Sequence, residues 1–182
     1  LTKAERLYLH TDQRISGAIS VTLSIANSSS WKRTPFTDGV PLPLRAHFES
    51  AQRLKIQAGI IPEVMEDKWF VYFEEPYLFF HRSWTGVPVY RVELAPDADG
   101  ATVTEALWSA DLAGVERADP IYQAQLLNFL ICNLLLGQSK PFPRPDTAQE
   151  SAPGLFQHHI AGTGYREVSV QPSSDLDEHS EG

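Results

Sequence analysis

Four runs of β-branched and aromatic residues follow one another with almost nothing between them, and this constrains the fold more than any other feature. They are "KWFVYFEE" (68–75), "YLFFHRS" (77–83), "VPVYRVELA" (87–95) and "ATVTEALWSA" (101–110). The links are Glu75-Pro76, Trp84-Thr85-Gly86 and Asp97-Ala98-Asp99-Gly100, all turn-forming. Parallel neighbours need a connection of about a dozen residues or more, so strands joined this tightly pair antiparallel. The centre of the chain is therefore expected to be a four-stranded meander.

A sheet with one apolar face needs a cover. "ADPIYQAQLLNFLICNLLLG" (118–137) supplies it: Asp119 suits the N-cap, Pro120 the first turn and Gly137 the end. The second half of this segment is apolar nearly all round, which predicts a buried helix over 120–137. A second helix is expected over about 43–58, where Leu44, Phe48, Ala51 and Lys55 fall at helical spacing between Pro43 and Gly59. "AISVTLSIA" (18–26) alternates with period two and reads as a fifth strand. The fold class expected is α+β, an antiparallel meander of four to five strands with one buried helix and a second helix. Residues 1–170 would form one domain, with 138–154 an extended Pro-rich segment, 155–170 a short added strand, and 171–182 an acidic flexible tail.

Composition narrows the class. Hydrophobic residues make up 42% and charged ones 21%, enough for an ordinary globular core. The net charge of −8 is uneven. Residues 1–60 hold eight Lys/Arg against four Asp/Glu, a balance of +4, so the remainder carries −12. So acidic a remainder argues against duplex nucleic acid as the partner, while the basic first third can still hold a small anion. No apolar run reaches the roughly 20 residues that cross a bilayer. The single Cys132 sits among Leu130, Ile131 and Leu134, a buried thiol suited to a reducing compartment. The expected location is cytoplasmic, without a membrane partner.

The candidate chemistry gathers at "HRSWTG" (81–86). Arg82 brings a guanidinium fork, Ser83 and Thr85 bring hydroxyls, and the turn exposes backbone N–H groups, a set that suits phosphate or carboxylate. Trp84 offers a flat face for a base. The plainer reading pairs Arg82 with Glu74 or Glu93 and lets Trp84 cap the core. "SWKRTPFTDG" (30–39) lies in a long polar loop, from which Trp31, Lys32 and Arg33 could reach the same anion. "MEDKWF" (65–70) adds Lys68 and the carboxylates Glu66 and Asp67, which as a pair could do acid–base work. His158 and His159 are adjacent, point to opposite faces of an extended chain and make no metal set. Gly162-Thr163-Gly164 lacks the rest of a phosphate loop. No nucleophile, base or metal set stands out, so no catalytic residue and no cofactor are assigned.

The blocks Glu66-Asp67-Lys68-Trp69-Phe70 and His81-Arg82-Ser83-Trp84-Thr85-Gly86, with the hairpin between them, resemble a small bacterial domain that occurs alone or beside ADP-ribose-handling modules such as ADP-ribosylglycohydrolases and macro domains. The resemblance spans about 30 residues (65–94) and carries over no catalytic residue. By association it implies an adenine-nucleotide or ADP-ribose connection. The expected function is nucleotide binding, with ADP or ADP-ribose the specific guess: Arg82 and Arg33 clamp phosphate, Lys32 and Lys68 assist, Ser83 and Thr85 hydrogen-bond, and Trp84 or Trp31 stacks on adenine. The alternatives are a protein-interaction or immunity-type module of an ADP-ribosylation system, and a hydrolase of ADP-ribose linkages working through Glu66 and Asp67.

Overall fold

The structure is a computed structural model, and it describes residues 24–113 and 119–143. The meander is present as β3 (Trp69–Glu74), β4 (Tyr77–Arg82), β5 (Pro88–Pro96) and β6 (Gly100–Ser109), all antiparallel. Two short strands absent from the sequence reading, β1 (Gly39–Pro41) and β2 (His47–Glu49), both pair with β6. The sheet order is β1-β6-β5-β4-β3, with β2 beside β1 along the same edge of β6. The strand expected at 18–26 lies outside the described residues up to position 23. Ser24, Ile25 and Ala26 are not in a strand, and the Ala26 N–H donates to the Ala58 carbonyl at 2.9 Å.

The helix expected over 43–58 is shorter than its spacing implied. Leu42, Leu44 and Phe48 are buried while Pro43, Arg45 and His47 are exposed, the alternation of extended chain. Phe48 obeys both periods, which is how the helical reading arose. The helix, α1, begins only at Ser50 and runs to Ala58. The Gln52 side chain accepts from the Glu49 N–H at 3.0 Å, and Gly59 ends the helix at a φ of 65°. A short helix, α2 (Ala110–Ala113), follows β6.

The covering helix forms as expected but changes character halfway. It is α-helical from Pro120 to Phe129 (α3), with the Asp119 carboxylate accepting from the Ile121 N–H at 2.8 Å, and π-helical from Leu130 to Leu135. The wider turn shows in the Leu136 N–H, which reaches the Ile131 carbonyl at 3.2 Å. Leu127, Leu130 and Ile131 are fully buried against Trp69, Leu78, Phe80, Tyr90 and Val92. Each such side chain contributes about 1.5–3 kcal/mol of burial free energy. Cys132 is buried, its thiol 3.6 Å from Asn128 Oδ1. After a reversal at Gly137 the chain runs back along the helix. Asn133 exchanges two hydrogen bonds with the Lys140 backbone (2.8 and 2.9 Å), and Phe142 meets Phe129 edge-on at 5.1 Å.

The other sheet face carries a smaller aromatic group, Phe70, Tyr72, Phe79 and His81, packed with Ala26 and Ile61. Of the Pro-rich segment only residues 138–143 are described. The remainder of 138–154, the segment 155–170 with His158, His159 and Gly162–Gly164, and the tail 171–182 lie outside the described residues. Among the described residues no helix is long and apolar enough to cross a membrane.

Candidate functional site

The hairpin between β4 and β5 is built on two backbone bonds, from the Arg82 N–H to the Val87 carbonyl (2.9 Å) and from the Gly86 N–H to the Arg82 carbonyl (2.8 Å). A register shift after Phe80 gives β5 an extra residue here, so that Val89 and Tyr90 are both buried. Gly86 has a φ of 76°, and a Cβ on it would stand 2.9 Å from both the Arg33 Cα and the Lys32 carbonyl. The missing side chain is what lets the loop around residues 31–34 lie directly against the turn. The Gly86 carbonyl then fastens that loop. It accepts from the Thr34 N–H (2.9 Å) and the Thr34 hydroxyl (3.3 Å), and it lies 3.0 Å from His81 Nδ1.

On the other side of the hairpin, Ser83 ties in the loop that leads to β3. Its hydroxyl donates to the Asp67 carbonyl, and its N–H donates to the Lys68 carbonyl at 3.1 Å. Asp67 is buried, and one carboxylate oxygen accepts from the N–H groups of Glu63 (2.9 Å) and Val64 (3.3 Å). That carboxylate organises the turn over 63–67. Glu66 is exposed, whereas the Asp67 carboxylate is taken up by these two backbone N–H groups.

Between these two anchored loops lies an open cleft of ≈ 430 Å³, lined by Trp31, Lys32, Pro62, Glu63, Val64, Met65, Ser83 and Trp84. Both indole N–H groups point back into the protein, from Trp31 to the Ser83 carbonyl (2.7 Å) and from Trp84 to the Met65 carbonyl (2.8 Å). Each indole is thereby anchored at its N–H while part of the residue stays exposed: Trp31 is 36% exposed, Trp84 56%, Val64 58% and Met65 70%. Lys68 does not line the cleft, but its ammonium stands 4.9 Å from the centre of the Trp84 ring.

Of the residues proposed from sequence, Trp31, Lys32, Ser83 and Trp84 meet at the cleft and Lys68 adjoins it. The clamp of Arg82 with Arg33 does not form. Arg82 is half-buried, its guanidinium 4.3 Å above the Trp69 ring on the helix-covered face of the sheet. Arg33 lies on the other face, 5.5 Å above the Tyr72 ring, with its Nε donating to the Ser28 carbonyl at 3.0 Å. Trp69 and Tyr72 alternate along β3, so the sheet itself separates the two guanidinium groups. Thr85 is exposed and its hydroxyl accepts from the Val87 N–H at 3.3 Å, a turn contact. Pro62, Glu63, Val64 and Met65 were not anticipated. Their signal was Val64-Met65, an apolar pair stranded among charges just after a proline.

Behind the cleft, His81 is fully buried and stacks on Tyr72 at 5.6 Å. A carbonyl oxygen can only accept, so the proton of the neutral ring is on Nδ1, donating to Gly86. Nε2 is buried and has no hydrogen-bond partner among the described residues. Burial pushes the imidazole below its ordinary range; the Gly86 contact opposes this, and the Arg33 charge adds to it. The Tyr72 phenol is raised by burial, against the opposing pull of Arg33. Among the described residues no group of three or more His, Cys, Asp or Glu is placed to hold a metal ion. In comparisons with protein families, curated proteins and solved structures, nothing matches this chain.

Proposed function

We propose that the cleft between Trp31 and Trp84 binds a small flat ligand bearing negative charge, and that the ligand is an adenine nucleotide such as ADP or ADP-ribose. One observation carries this reading: two partly exposed indoles, anchored by N–H bonds to the backbone, line one cleft with a lysine in its wall. Anchored indoles of this kind suit stacking on a base, worth about 1–3 kcal/mol per aromatic contact. Lys32 supplies the cation for phosphate, in place of the separated arginines.

The charge beside Trp84 favours the same class. An indole face attracts cations, but Lys68 already stands over this ring. A cationic ligand on its opposite face would lie about 10 Å from that ammonium, costing roughly 0.4–1.7 kcal/mol in repulsion for effective dielectric constants of 80 to 20. A neutral base carrying phosphate escapes this penalty. The adenine and ribose part of the proposal rests on the resemblance of the two sequence blocks.

Titration with ADP and ADP-ribose while following the melting temperature tests the proposal. Ligand at 100 times its Kd adds about 2.7 kcal/mol, which for a chain of this size raises Tm by about 5–10 °C. Trp84→Ala cuts the rise at the same ligand concentration to about half or less. No shift at millimolar nucleotide would overturn the reading. The exposure of Val64, Met65 and Trp84 supports a second one, an apolar docking surface for a protein partner. That reading is distinguished by protection of Val64 and Met65 in a stable complex with a co-purifying protein, without any nucleotide effect.

A further inference from the structure

We infer that His81 is a positioning residue for the cleft: through the Gly86 carbonyl it holds the loop that carries Trp31 and Lys32, and it lets that loop go when it takes up a proton. The inference rests on the nucleotide reading only for its ligand measurement; the geometry stands without it.

One carbonyl joins three parts of the protein. Gly86 O receives the Nδ1–H of His81 from β4 and both the N–H and the hydroxyl of Thr34 from the loop. Three residues before Thr34, the Trp31 indole closes the wall onto Ser83. The imidazole thus sits behind the turn as a wedge, donating forward to the carbonyl and stacked sideways on Tyr72.

The second nitrogen makes this arrangement conditional. Nε2 is a buried lone pair, and a proton added there would find no acceptor. Among the described residues the groups around the ring offer no compensation: Glu74, the carboxylate on this face of β3, acts on Tyr72 and not on the imidazole. From β3 come Phe70 and Tyr72, the latter a neutral phenol; from β4 comes Phe79; from the loop comes Arg33, a like charge. Arg91, the next guanidinium on this face, is engaged by Glu105 at 2.9 Å. A protonated ring therefore has to reach water. Doing so withdraws its hydrogen bond from the Gly86 carbonyl and leaves a gap under the turn, which loosens the contact with Thr34.

The imidazole titrates near 6.5 once it is open to water. The population in which the loop is released should therefore grow as pH falls from 7.5 to 5.5, by up to about tenfold, the limit set by the released ring alone taking the proton. Hydrogen exchange at the Thr34 amide, corrected for its intrinsic pH dependence, reads this directly. Wild type should lose protection across the interval, by up to about tenfold. In His81→Asn the side-chain amide reaches forward as Nδ1 does but does not titrate, so the profile should be flat. His81→Phe should lower protection at every pH. If that variant does not fold, the wild type and His81→Asn profiles suffice. Thr34 protection independent of pH in wild type, or an unchanged slope in His81→Asn, would overturn the inference. ADP affinity should weaken along the same profile. A pH-dependent Thr34 with no ADP binding at any pH would sink the nucleotide reading and leave this one standing.

Discussion

Gly86→Ala tests whether the two sides of the cleft are held together as described. The residue has a φ of 76°, where an L side chain costs about 1–2 kcal/mol. The added methyl would also press on the Arg33 Cα and the Lys32 carbonyl at 2.9 Å, and both are backbone atoms that cannot rotate aside. Restoring ordinary contact means moving the loop by about half an ångström, which stretches the two Thr34 bonds to the Gly86 carbonyl. Each contributes about 0.5–1.5 kcal/mol net. The summed cost is roughly 2–5 kcal/mol, or a fall in Tm of about 4–20 °C at about 2–4 °C per kcal/mol. Thermal and urea denaturation measure it, with Gly86→Asn as the control. Asparagine accepts positive φ more readily but adds the same Cβ, so it should recover part of the backbone cost and none of the steric one. A Gly86→Ala protein within about 0.5 kcal/mol of wild type, with its Thr34 amide still protected, would refute the account of how the loop is seated.

Trp31→Ala and Trp84→Ala should each weaken ADP binding by about tenfold or more in a calorimetric titration, with Trp84→Ala changing stability by less than about 1 kcal/mol because its ring is mostly exposed. Asp67→Ala should destabilise the fold by about 1–3 kcal/mol in urea denaturation, since it leaves the Glu63 and Val64 N–H groups without their acceptor. Gln123→Ala should cost about 0.5–1.5 kcal/mol, because it removes the acceptor to which the buried Tyr90 hydroxyl donates. Burial pushes the Tyr122 phenol up to about 12, so the unfolded chain ionises first. Stability should be lost as pH rises above about 10, and Tyr122→Phe should flatten that alkaline limb of a denaturation-against-pH curve.

The meander was legible because its alternation is strong and its links are too short for any other pairing. The covering helix was legible because Asp119, Pro120 and Gly137 mark its ends. β1 and β2 were not, since three residues such as Gly39-Val40-Pro41 show no period and pair only because β6 offers an edge. The stretch 42–48 satisfies both periods at Phe48, and only tertiary burial of Leu42 and Leu44 decides between them. At the candidate site, alternation correctly put Arg82 with Phe80 and His81 with Phe79. It could not reveal that the loop of Arg33 comes down on the opposite side of the sheet from Arg82, because that depends on where a long loop lands. Glu63 to Met65 escaped notice for the same reason: their importance comes from a turn organised by a buried carboxylate, not from a pattern along the chain.

The change of pitch at Leu130 has a bearing on which lengths this chain tolerates. A π-helical stretch holds one more residue than the α-helical path it replaces, so deleting one position within Leu130–Leu135 would let the helix tighten. Everything downstream would then keep its direction, because the shortened stretch follows the α-helical path. A deletion within Pro120–Phe129 has no such slack and would turn Leu130 and Ile131 by about 100° from the sheet they are buried against. In this helix the loss of one residue should therefore be milder within Leu130–Leu135 than within Pro120–Phe129.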